Sequence, residues 1–405
     1  MNITRLSWQN LISNPLNTIL CLLLMTLGVG IISLVLLLNN EVEQQLAKNV
    51  KGIDMVVGAK GSPLQLILST VYHIDNPTGN ISLKEVEKLK KNSMVKSTIP
   101  LSFGDTYNGF RIVGTTHDYA ELYQTSLKEG RLWKEALEVV VGNSAAEINN
   151  LEVGDTFYGS HGLVEGGEIH DHFSYEVVGV LEESSSVIDK LILTNTESIW
   201  KVHNHDTHVC SDPDHHHEHD EQDDNAMITA LLVKFKSPVG FIQLPRKVNE
   251  TTNLQAAVPA FEINRLISLL GFGAQTIKMI AIIIMIVSGL SIFISLFNSL
   301  KKRRYELALM RVHGASRWQL VKLVLLEGIL LSIFGTLFGI IISRLTLFTM
   351  SFFMDVSYSF SSIHFSLIEE ELWLFPISLF IGFLASLIPT IQTYNINIPK
   401  TLSHE

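Results

Sequence analysis

Four long apolar runs constrain the fold of this chain of 405 residues more than any other feature. They cover residues 16–38, 279–300, 323–343 and 372–391, and the third contains a single acid, Glu327, near its start. A helix of about 20 residues rises ~1.5 Å per residue and crosses ~30 Å of hydrocarbon. The runs therefore predict four transmembrane helices with almost no ionisable group inside them. We expect a structural role for Glu327 near one membrane surface, rather than a place in a proton relay.

The first apolar run is expected to stay in the mature protein as an anchor. It is longer than the apolar core of a signal peptide, which has at most about 15 residues, and no A-x-A-like cleavage site follows it. The sequence continues as LNNEVEQQLAKNV, which indicates a helix that leaves the membrane.

The loop at residues 301–322, between the second and third runs, gives the predicted orientation. Short loops rich in lysine and arginine stay on the cytoplasmic side of a membrane. With this loop inside, both chain termini are cytoplasmic, and residues 40–277 and 344–371 lie outside. The basic residues of the loop are Lys301, Lys302, Arg303, Arg304, Arg311, Arg317 and Lys322, against the single acid Glu306.

The long segment after the first run is predicted to be an α+β domain outside the membrane. The chain is 47% hydrophobic with a net charge of −10, which fits a few spans plus a large acidic domain in water. Residues 41–50 and 253–277 are expected to be helical stalks that continue the first two spans. Between them, β-rich stretches alternate with Gly, Asn and Asp turns. They lie at residues 95–101, 110–114, 137–141, 175–181, 190–193 and 227–235, with helices near 82–91 and 118–126.

Residues 53–82, directly after the first stalk, have two interpretations. Their place near the membrane suits a surface for a substrate or partner, and their sequence equally fits a buried turn and helix. The substrate-binding residues cannot be assigned. The chain has no P-loop, H-E-x-x-H or G-x-S-x-G motif, so no catalytic residue is predicted and the chain is not expected to be an enzyme. Nothing in the sequence suggests binding to nucleic acid.

Several motifs resemble those of one family. The N-terminal sequence WQNLISNPLNTILCLLLMTLGVGI resembles an amphipathic helix that runs into Asn-Pro-Leu and a glycine-containing span. The strongest resemblance is in RRYELALMRVHGASRWQLVKLVLLEG at residues 303–328. Shorter motifs are LKEGR (127–131), VVVG (139–142), VGD (153–155), YEVVGVL (175–181) and IDK (188–190). Together they resemble the permeases of MacB/FtsX/LolC-type ABC transporters, which are described as mechanotransmission systems.

The resemblance implies a domain organisation. Residues 1–40 would form the amphipathic helix and the first span, and residues 41–276 a MacB-like periplasmic domain with its stalks. Residues 277–405 would form an FtsX-like permease domain with three spans and the cytoplasmic coupling loop 301–322. The expected architecture is therefore a membrane α-helical protein of four transmembrane helices, with an α+β extracytoplasmic domain inserted between the first two.

The resemblance also implies an assembly and a function. We expect a homodimer in a bacterial inner membrane, bound to two copies of an ABC ATPase subunit that hydrolyses ATP. Movement of the periplasmic domain would export or extract a lipoprotein, a peptide or a small hydrophobe. A periplasmic lipoprotein, metal carrier or adaptor is a possible further partner. The alternative is an FtsX-like signalling permease that regulates a periplasmic enzyme and transports nothing.

The basic loop is the expected docking site for the ATPase. Its charge alone is equally compatible with a positive-inside loop that contacts anionic lipid. The resemblance favours docking. The residues expected to couple to the ATPase are Arg303, Arg304, Glu306, Arg311, Gly314, Ala315, Ser316 and Arg317.

A histidine-rich loop, residues 203–224, reads HNHDTHVCSDPDHHHEHDEQDD. Neutral imidazole binds zinc and similar transition metals, and carboxylates can complete the shell. The loop is therefore predicted to capture or sense Zn²⁺ or another transition metal, and contacts in the fold could bring His161, His170 and His172 close to it. The alternatives are an acidic insertion that binds metal only incidentally, and a patch that responds to pH. The predicted ligands are His203, His205, His208, His215, His216, His217 and His219.

Overall fold

The computed structural model describes residues 3–160, 169–205, 226–353 and 367–394. The chain forms two compact units. Residues 1–42 and 269–405 make up the helical unit, and residues 43–268 make up the α/β unit.

The helices of the described part are α1 Ile3–Ser13, α2 Pro15–Val50, α3 Pro63–Thr70, α4 Leu83–Lys90, α5 Asp118–Leu122, α6 Asn143–Asn149, α7 Thr196–His205, α8 Gly240–Thr251, α9 Pro259–Lys302, α10 Arg304–Val312, α11 Arg317–Phe353 and α12 Leu374–Tyr394. Short 3-10 helices cover Val187–Lys190 and Glu369–Trp373. The strands are β1 Met55–Ala59, β2 Ile81–Ser82, β3 Val95–Tyr107, β4 Phe110–Gly114, β5 Leu127–Gly130, β6 Glu138–Val141, β7 Thr156–Ser160, β8 Ile169–Leu181, β9 Leu191–Thr194, β10 Met227–Ile228, β11 Ala230–Phe235 and β12 Leu254–Ala257.

Within the described ranges, four helical segments are long and apolar enough to cross a membrane: α2, α9, α11 and the segment that ends in α12. They confirm the four predicted transmembrane helices. The third helix is longer than its apolar run, because α11 continues to Phe353 and therefore includes Arg344.

Two pairs of glycines bring the spans of the helical unit close together. A Cβ on Gly30 of α2 would lie 3.3 Å from the carbonyl oxygen of Gly339 on α11. A Cβ on Gly328 of α11 would lie 2.9 Å from the carbonyl oxygen of Gly382 on α12. Helices in lipid associate mainly through such close packing, since hydrocarbon tails are as apolar as the side chains. The glycines therefore determine which faces of α2, α11 and α12 meet.

The α/β unit is built on a mixed sheet of ten strands among the described residues. The strand order is β12-β1-β11-β3-β4-β9-β6-β8-β5, and β7 pairs with β3 and β8. The pairs β4–β9 and β6–β8 are parallel. Neighbouring residues of a strand point to opposite faces, so Met55 and Val56 of β1 contribute to separate hydrophobic cores. An inserted α/β domain after the first span agrees with the predicted architecture.

The strand and the helix within segment 53–82 are largely buried in this unit. Met55 and Val56 of β1 are 0% exposed, and Leu66 and Ile67 of α3 are also buried. The Ser62 side chain caps α3 and accepts a hydrogen bond from the backbone N–H of Gln65. These contacts favour the interpretation as a buried turn and helix.

The stalk predicted at residues 253–277 begins later than expected. Its first residues form β12, which pairs antiparallel with β1 through partners such as Val56 and Ala257. The helix α9 begins at Pro259, where proline is tolerated because the first helical N–H has no partner within the helix. The pairing of β12 with a distant strand outweighs the local helical pattern.

Candidate functional site

The short helix α10 lies inside the basic loop and is held on one side by apolar contacts. Its Leu307 is 4% exposed and packs with Leu320 and Leu323 of α11. Ile3 and Leu6 of α1 pack against the same cluster. The inner face of α10 is therefore fixed to both α1 and α11.

The opposite face of α10 exposes an apolar stripe. Tyr305 is 46%, Leu309 42% and Val312 59% exposed. Their spacing of four and three residues places them on one side of the helix. Trp318, in the first turn of α11, is 67% exposed. We call Tyr305, Leu309 and Val312 the apolar stripe.

Sequence reasoning missed the apolar stripe, because it selected charged residues and the Gly-Ala-Ser turn. A signal was present, since the spacing of the three side chains is that of one helical face. Apolar residues on both faces of a nine-residue helix indicate that each face has something to contact.

The eight predicted coupling residues divide into exposed and supporting positions. Those that are exposed are Arg304, Glu306, Gly314, Ser316 and Arg317. The half-buried ones are Arg303, Arg311 and Ala315. On α10, Arg304 and Glu306 flank the apolar stripe on its two sides, because consecutive helix positions are about 100° apart.

The Gly-Ala-Ser turn has a structural role. Gly314 follows the end of α10 with a φ of +94°, a conformation in which glycine avoids the penalty of a Cβ. Ser316 and Gln319 then form reciprocal hydrogen bonds. The Ser316 N–H donates to Gln319 Oε1 at 2.8 Å, and the Gln319 N–H donates to Ser316 Oγ at 3.2 Å. This capping box starts α11.

A polar cluster links α1, α10 and α11 beside this turn. Arg303 donates from Nε to Glu306 Oε2 at 3.0 Å and from Nη2 to Asn10 Oδ1. Asn10 donates from Nδ2 to Glu327 Oε1 at 2.5 Å. Glu327 is only 6% exposed. We call Asn10, Arg303 and Glu327 the first polar cluster. Arg303 therefore stabilises the basic loop through hydrogen bonds within the chain, and fewer of its donors are left for a partner.

A second polar cluster lies at the other end of α11. Arg344 donates from Nη1 to Glu371 Oε1 at 2.5 Å and from Nη2 to Glu371 Oε2. The Ser33 hydroxyl of α2 donates to the same Glu371 oxygen at 2.5 Å, and it lies 2.7 Å from the Ser343 hydroxyl. Arg344 is 7% and Glu371 0% exposed. We call Ser33, Arg344 and Glu371 the second polar cluster.

Two family models match the chain. The MacB-like periplasmic core domain matches residues 18–240, and the FtsX-like permease C-terminal domain matches residues 278–398. The first match alone covers more than half of the chain. The chain belongs to the MacB/FtsX-type ABC transporter permeases. This family assignment confirms the resemblance seen in the sequence motifs.

Solved structures of two periplasmic or extracellular regions are similar to the permease. One is the periplasmic region of MacB from Actinobacillus actinomycetemcomitans, at 15% identity and a TM-score of 0.34, with 56% of this chain and 98% of that chain covered. The other is the extracellular domain of the ABC-type transporter YknZ from Gram-positive bacteria, at 14% identity and a TM-score of 0.29, with 50% and 98% covered. No functionally curated protein matches the permease.

Most of the predicted metal ligands of the permease lie outside the described residues. These are His208, His215, His216, His217 and His219. His205 ends α7, and among the seven predicted ligands His203 alone has a described side chain. Within the described part of the chain, no group of three or more histidine, cysteine or acidic side chains is close enough to hold a metal ion. His203 Nε2 lies 3.8 Å from Asp105 Oδ1.

The α/β unit of the permease also buries a neutral histidine. His73 is 8% exposed, and its Nε2 lies 3.0 Å from the Tyr119 hydroxyl. The guanidinium of Arg111 lies over the Phe103 ring at 4.8 Å and donates to the Asp75 carbonyl at 3.0 Å. Burial lowers the pKa of His73 well below its usual value, and the charge of Arg111 lowers it further. The imidazole is therefore neutral near pH 7.

Proposed function

We propose that the permease couples ATP hydrolysis by two copies of a separate ATPase subunit to movement of its α/β unit. It acts as a homodimer in a bacterial inner membrane, with both termini and the basic loop in the cytoplasm and the α/β unit in the periplasm. The permease itself is not catalytic. The single observation that carries this proposal is the exposed apolar stripe on α10, flanked by Arg304 and Glu306.

The apolar stripe has the composition of a protein-binding surface. The centre of a protein interface is apolar and rich in aromatic side chains, and its rim is polar and charged. Tyr305 with Leu309 and Val312 supplies such a centre, and Arg304 and Glu306 supply the rim. The surface therefore favours a protein partner.

The packing of α10 supports transmission of force from that surface. Leu307 fixes α10 to α11, and the first polar cluster fixes it to α1. The helices α2 and α9 have 36 and 44 residues. At ~1.5 Å per residue these lengths are about 54 and 66 Å, well beyond the ~30 Å of hydrocarbon. Each helix therefore continues from its span into the α/β unit without a break.

Co-purification with the cognate ATPase subunit tests the docking role. Val312→Glu places a charge on the most exposed residue of the apolar stripe, and we expect it to abolish co-purification and the ATPase activity of the complex. Val239→Glu is the matched control, because Val239 is 53% exposed on the α/β unit and lies outside the stripe. The double variant Glu306→Lys with Arg311→Glu should also lose the complex. Normal yield of the complex from Val312→Glu and from the double variant would exclude docking at α10.

We further propose that the substrate is a lipoprotein, a peptide or a small hydrophobe, exported or extracted at the outer leaflet. The alternative is an FtsX-like signalling permease that controls a periplasmic enzyme. No contact in the described residues favours either one. A neighbouring gene for a cell-wall hydrolase would support signalling, whereas a neighbouring gene for a metal-binding lipoprotein would support transport.

The histidine-rich loop is the basis for a proposed link to zinc. Its histidines and acids match the ligands that zinc prefers. Zinc titration of the full-length permease, with and without residues 206–224, tests this link. Loss of tight binding on deletion would support capture of zinc by the loop. Binding that is unchanged by the deletion would show that the loop is a solvated acidic insertion.

A further inference from the structure

The end of α2 is bound by two tyrosines of the α/β unit. This unit begins at residue 43, so the last turns of α2 belong to it. The Tyr72 hydroxyl, just after α3, donates to the Leu46 carbonyl at 2.9 Å. The Tyr123 hydroxyl, just after α5, donates to the Asn49 carbonyl at 3.2 Å. The last four carbonyls of a helix have no partner within it, so Tyr123 supplies a donor that α2 itself lacks.

Two side chains at the end of α2 bind a loop of the same unit. Asn49 is 9% exposed, and its Oδ1 accepts a hydrogen bond from the backbone N–H of Val187 at 2.9 Å. Its Nδ2 donates to the Gln45 carbonyl at 3.1 Å, which fixes the orientation of the amide. Lys48 donates from Nζ to the Ser184 carbonyl at 2.6 Å. We call the following residues the stalk anchor: Lys48, Asn49, Tyr72, Tyr123, Ser184 and Val187.

The loop that receives these bonds, residues 182–190, is held in place by its own contacts. Asp189 is 3% exposed, and its Oδ1 accepts from the Ser184 N–H at 3.0 Å and from the Ser184 hydroxyl at 2.7 Å. Gly142, before α6, lies so close that a Cβ on it would be 2.2 Å from the Ile188 carbonyl oxygen. Closely packed interiors transmit strain. A displacement of Asn49 therefore moves the loop as a whole.

The loop leads directly into the interior of the sheet. It joins β8 to β9, and β9 pairs parallel with β4 and antiparallel with β6. The end of α2 leads into β1, which pairs with both β11 and β12. The helix α2 is therefore connected to the sheet at two places, through β1 along the chain and through the stalk anchor at β9.

The other long helix, α9, is attached through fewer contacts. It follows β12, the edge strand of the sheet in the described part of the chain, which pairs with β1. In residues 259–268, the part of α9 within the α/β unit, the described side-chain bonds stay within the helix. Arg265 pairs with Glu262 at 3.8 Å, and the Ser268 hydroxyl donates to the Arg265 carbonyl at 2.7 Å. A force along α9 therefore acts first on one edge strand.

We propose that α2, rather than α9, moves the α/β unit, and that Lys48 and Asn49 are the positioning residues that pass this movement to β9. The inference rests on the proposed function, because it requires ATP-driven movement of the unit. Each hydrogen bond of the stalk anchor contributes little by itself. Because the bonds join α2 to three separate segments, a displacement of the helix loads all of them together. The edge strand β12 then follows through its ladder with β1.

Hydrogen exchange of the full-length permease in complex with its ATPase subunit tests this role. Backbone amides exchange when a segment opens locally, so the method reports a change at β9. Exchange is compared without nucleotide and with ATP plus vanadate, which traps the ATPase after hydrolysis. In the wild type, we expect exchange at residues 188–194 to depend on the nucleotide. In Asn49→Ala and in Lys48→Met this dependence should be lost, whereas co-purification with the ATPase should be unchanged.

Lys51→Met and Arg265→Met are the matched controls. Lys51 is exposed at the same end of α2 and lies outside the stalk anchor, and the Arg265 side chain on α9 is 67% exposed. Both variants should keep the dependence on nucleotide. Thermal unfolding without nucleotide shows whether Asn49→Ala is folded, and if it is not, Lys48→Met at its exposed position decides the result. A purely structural role would lower stability and leave the nucleotide dependence intact.

The possible outcomes separate this inference from the proposed function. Exchange that does not depend on nucleotide in the wild type would contradict the movement itself, and with it the proposed function. Dependence that is present in the wild type and persists in the deciding variant would exclude only the role of the stalk anchor. Loss of the dependence in Arg265→Met as well would exclude α2 as the one helix that moves the unit.

Discussion

The two polar clusters at opposite ends of α11 have similar chemistry and different surroundings. Glu327 and Arg344 are 17 positions apart, which is about 25 Å along a helix. In the first polar cluster, Arg303 has a side chain that is 23% exposed, and it also bonds Glu306, which is 58% exposed. In the second, the Arg344 and Glu371 side chains are 8% and 0% exposed. A partner that binds α10 can therefore change the first cluster, whereas the second is closed to any partner.

The difference indicates separate roles for the two clusters. The second polar cluster joins α2, α11 and the turn before α12 through a bidentate ion pair, a geometry with high specificity. It serves as a fixed connection among three spans. The first polar cluster joins α1, α10 and α11 through an amide, and it includes charges that reach the surface. It can pass a change at α10 to the start of α11.

The largest expected effect is at the second polar cluster. Arg344→Met leaves the Glu371 carboxylate buried without its cation, which costs about 3–5 kcal/mol. Thermal unfolding of the full-length permease in detergent should show a large loss of stability. The double variant Arg344→Met with Glu371→Met removes both charges and should recover most of that loss. If the single and double variants are equally unstable, the ion pair is not the source of the effect.

A smaller effect is expected at the first polar cluster. Asn10→Ala removes the donor to Glu327 and the acceptor from Arg303, and loss of such buried hydrogen bonds costs about 1–3 kcal/mol. The complex with the ATPase should still form, because the apolar stripe is intact, but its ATPase activity should fall. Asn14→Ala is the control, since the Asn14 side chain bonds only the exposed Ser13 hydroxyl among the described contacts. Unchanged activity in Asn10→Ala would remove the proposed difference between the clusters.

The pH dependence of stability gives the smallest expected effect. His73 has a folded pKa well below that of the unfolded chain, about 6.5, so the unfolded state binds a proton that the folded state does not. Stability is therefore constant well above that pH and falls as the pH drops below it, with a slope that approaches about 1.4 kcal/mol per pH unit until the folded pKa is reached. The two polar clusters of the helical unit contain no histidine, so this loss of stability belongs to the α/β unit.

Thermal unfolding across that pH range measures the effect of His73. The variant His73→Gln should be less stable than the wild type at pH 7.5, since it loses the contact with Tyr119, but its stability should depend less on pH. A slope that is identical in the variant and in the wild type would show that another group titrates.

The sequence predicts those features of the permease that depend on neighbouring residues. The four spans follow from runs of apolar residues. The apolar stripe was also visible in the spacing of Tyr305, Leu309 and Val312. Local patterns are sufficient in these places because helices are held together by contacts three and four residues apart.

The remaining features depend on contacts between distant residues. Arg344 and Glu371 are 27 positions apart in the sequence, and a hydropathy pattern does not show that their side chains pair. Strand β12 was interpreted as helix because its pairing partner, β1, lies about 200 positions earlier in the sequence. Asp105 and His203 meet only because α7 packs closely on β3. No local pattern in a single sequence predicts any of these three contacts, because each joins residues that are far apart along the chain.

The attachment of the two long helices to the sheet has a mechanical consequence. The end of α2 leads into β1, and α9 begins directly after β12. These two strands are hydrogen-bonded neighbours, and Val56 pairs with Ala257 at the end of the ladder where both helices connect. If the helices move together, the ladder carries no load between its strands. If they separate, the ladder unzips one hydrogen bond at a time from that end, and the edge strand β12 is the first to peel from the sheet.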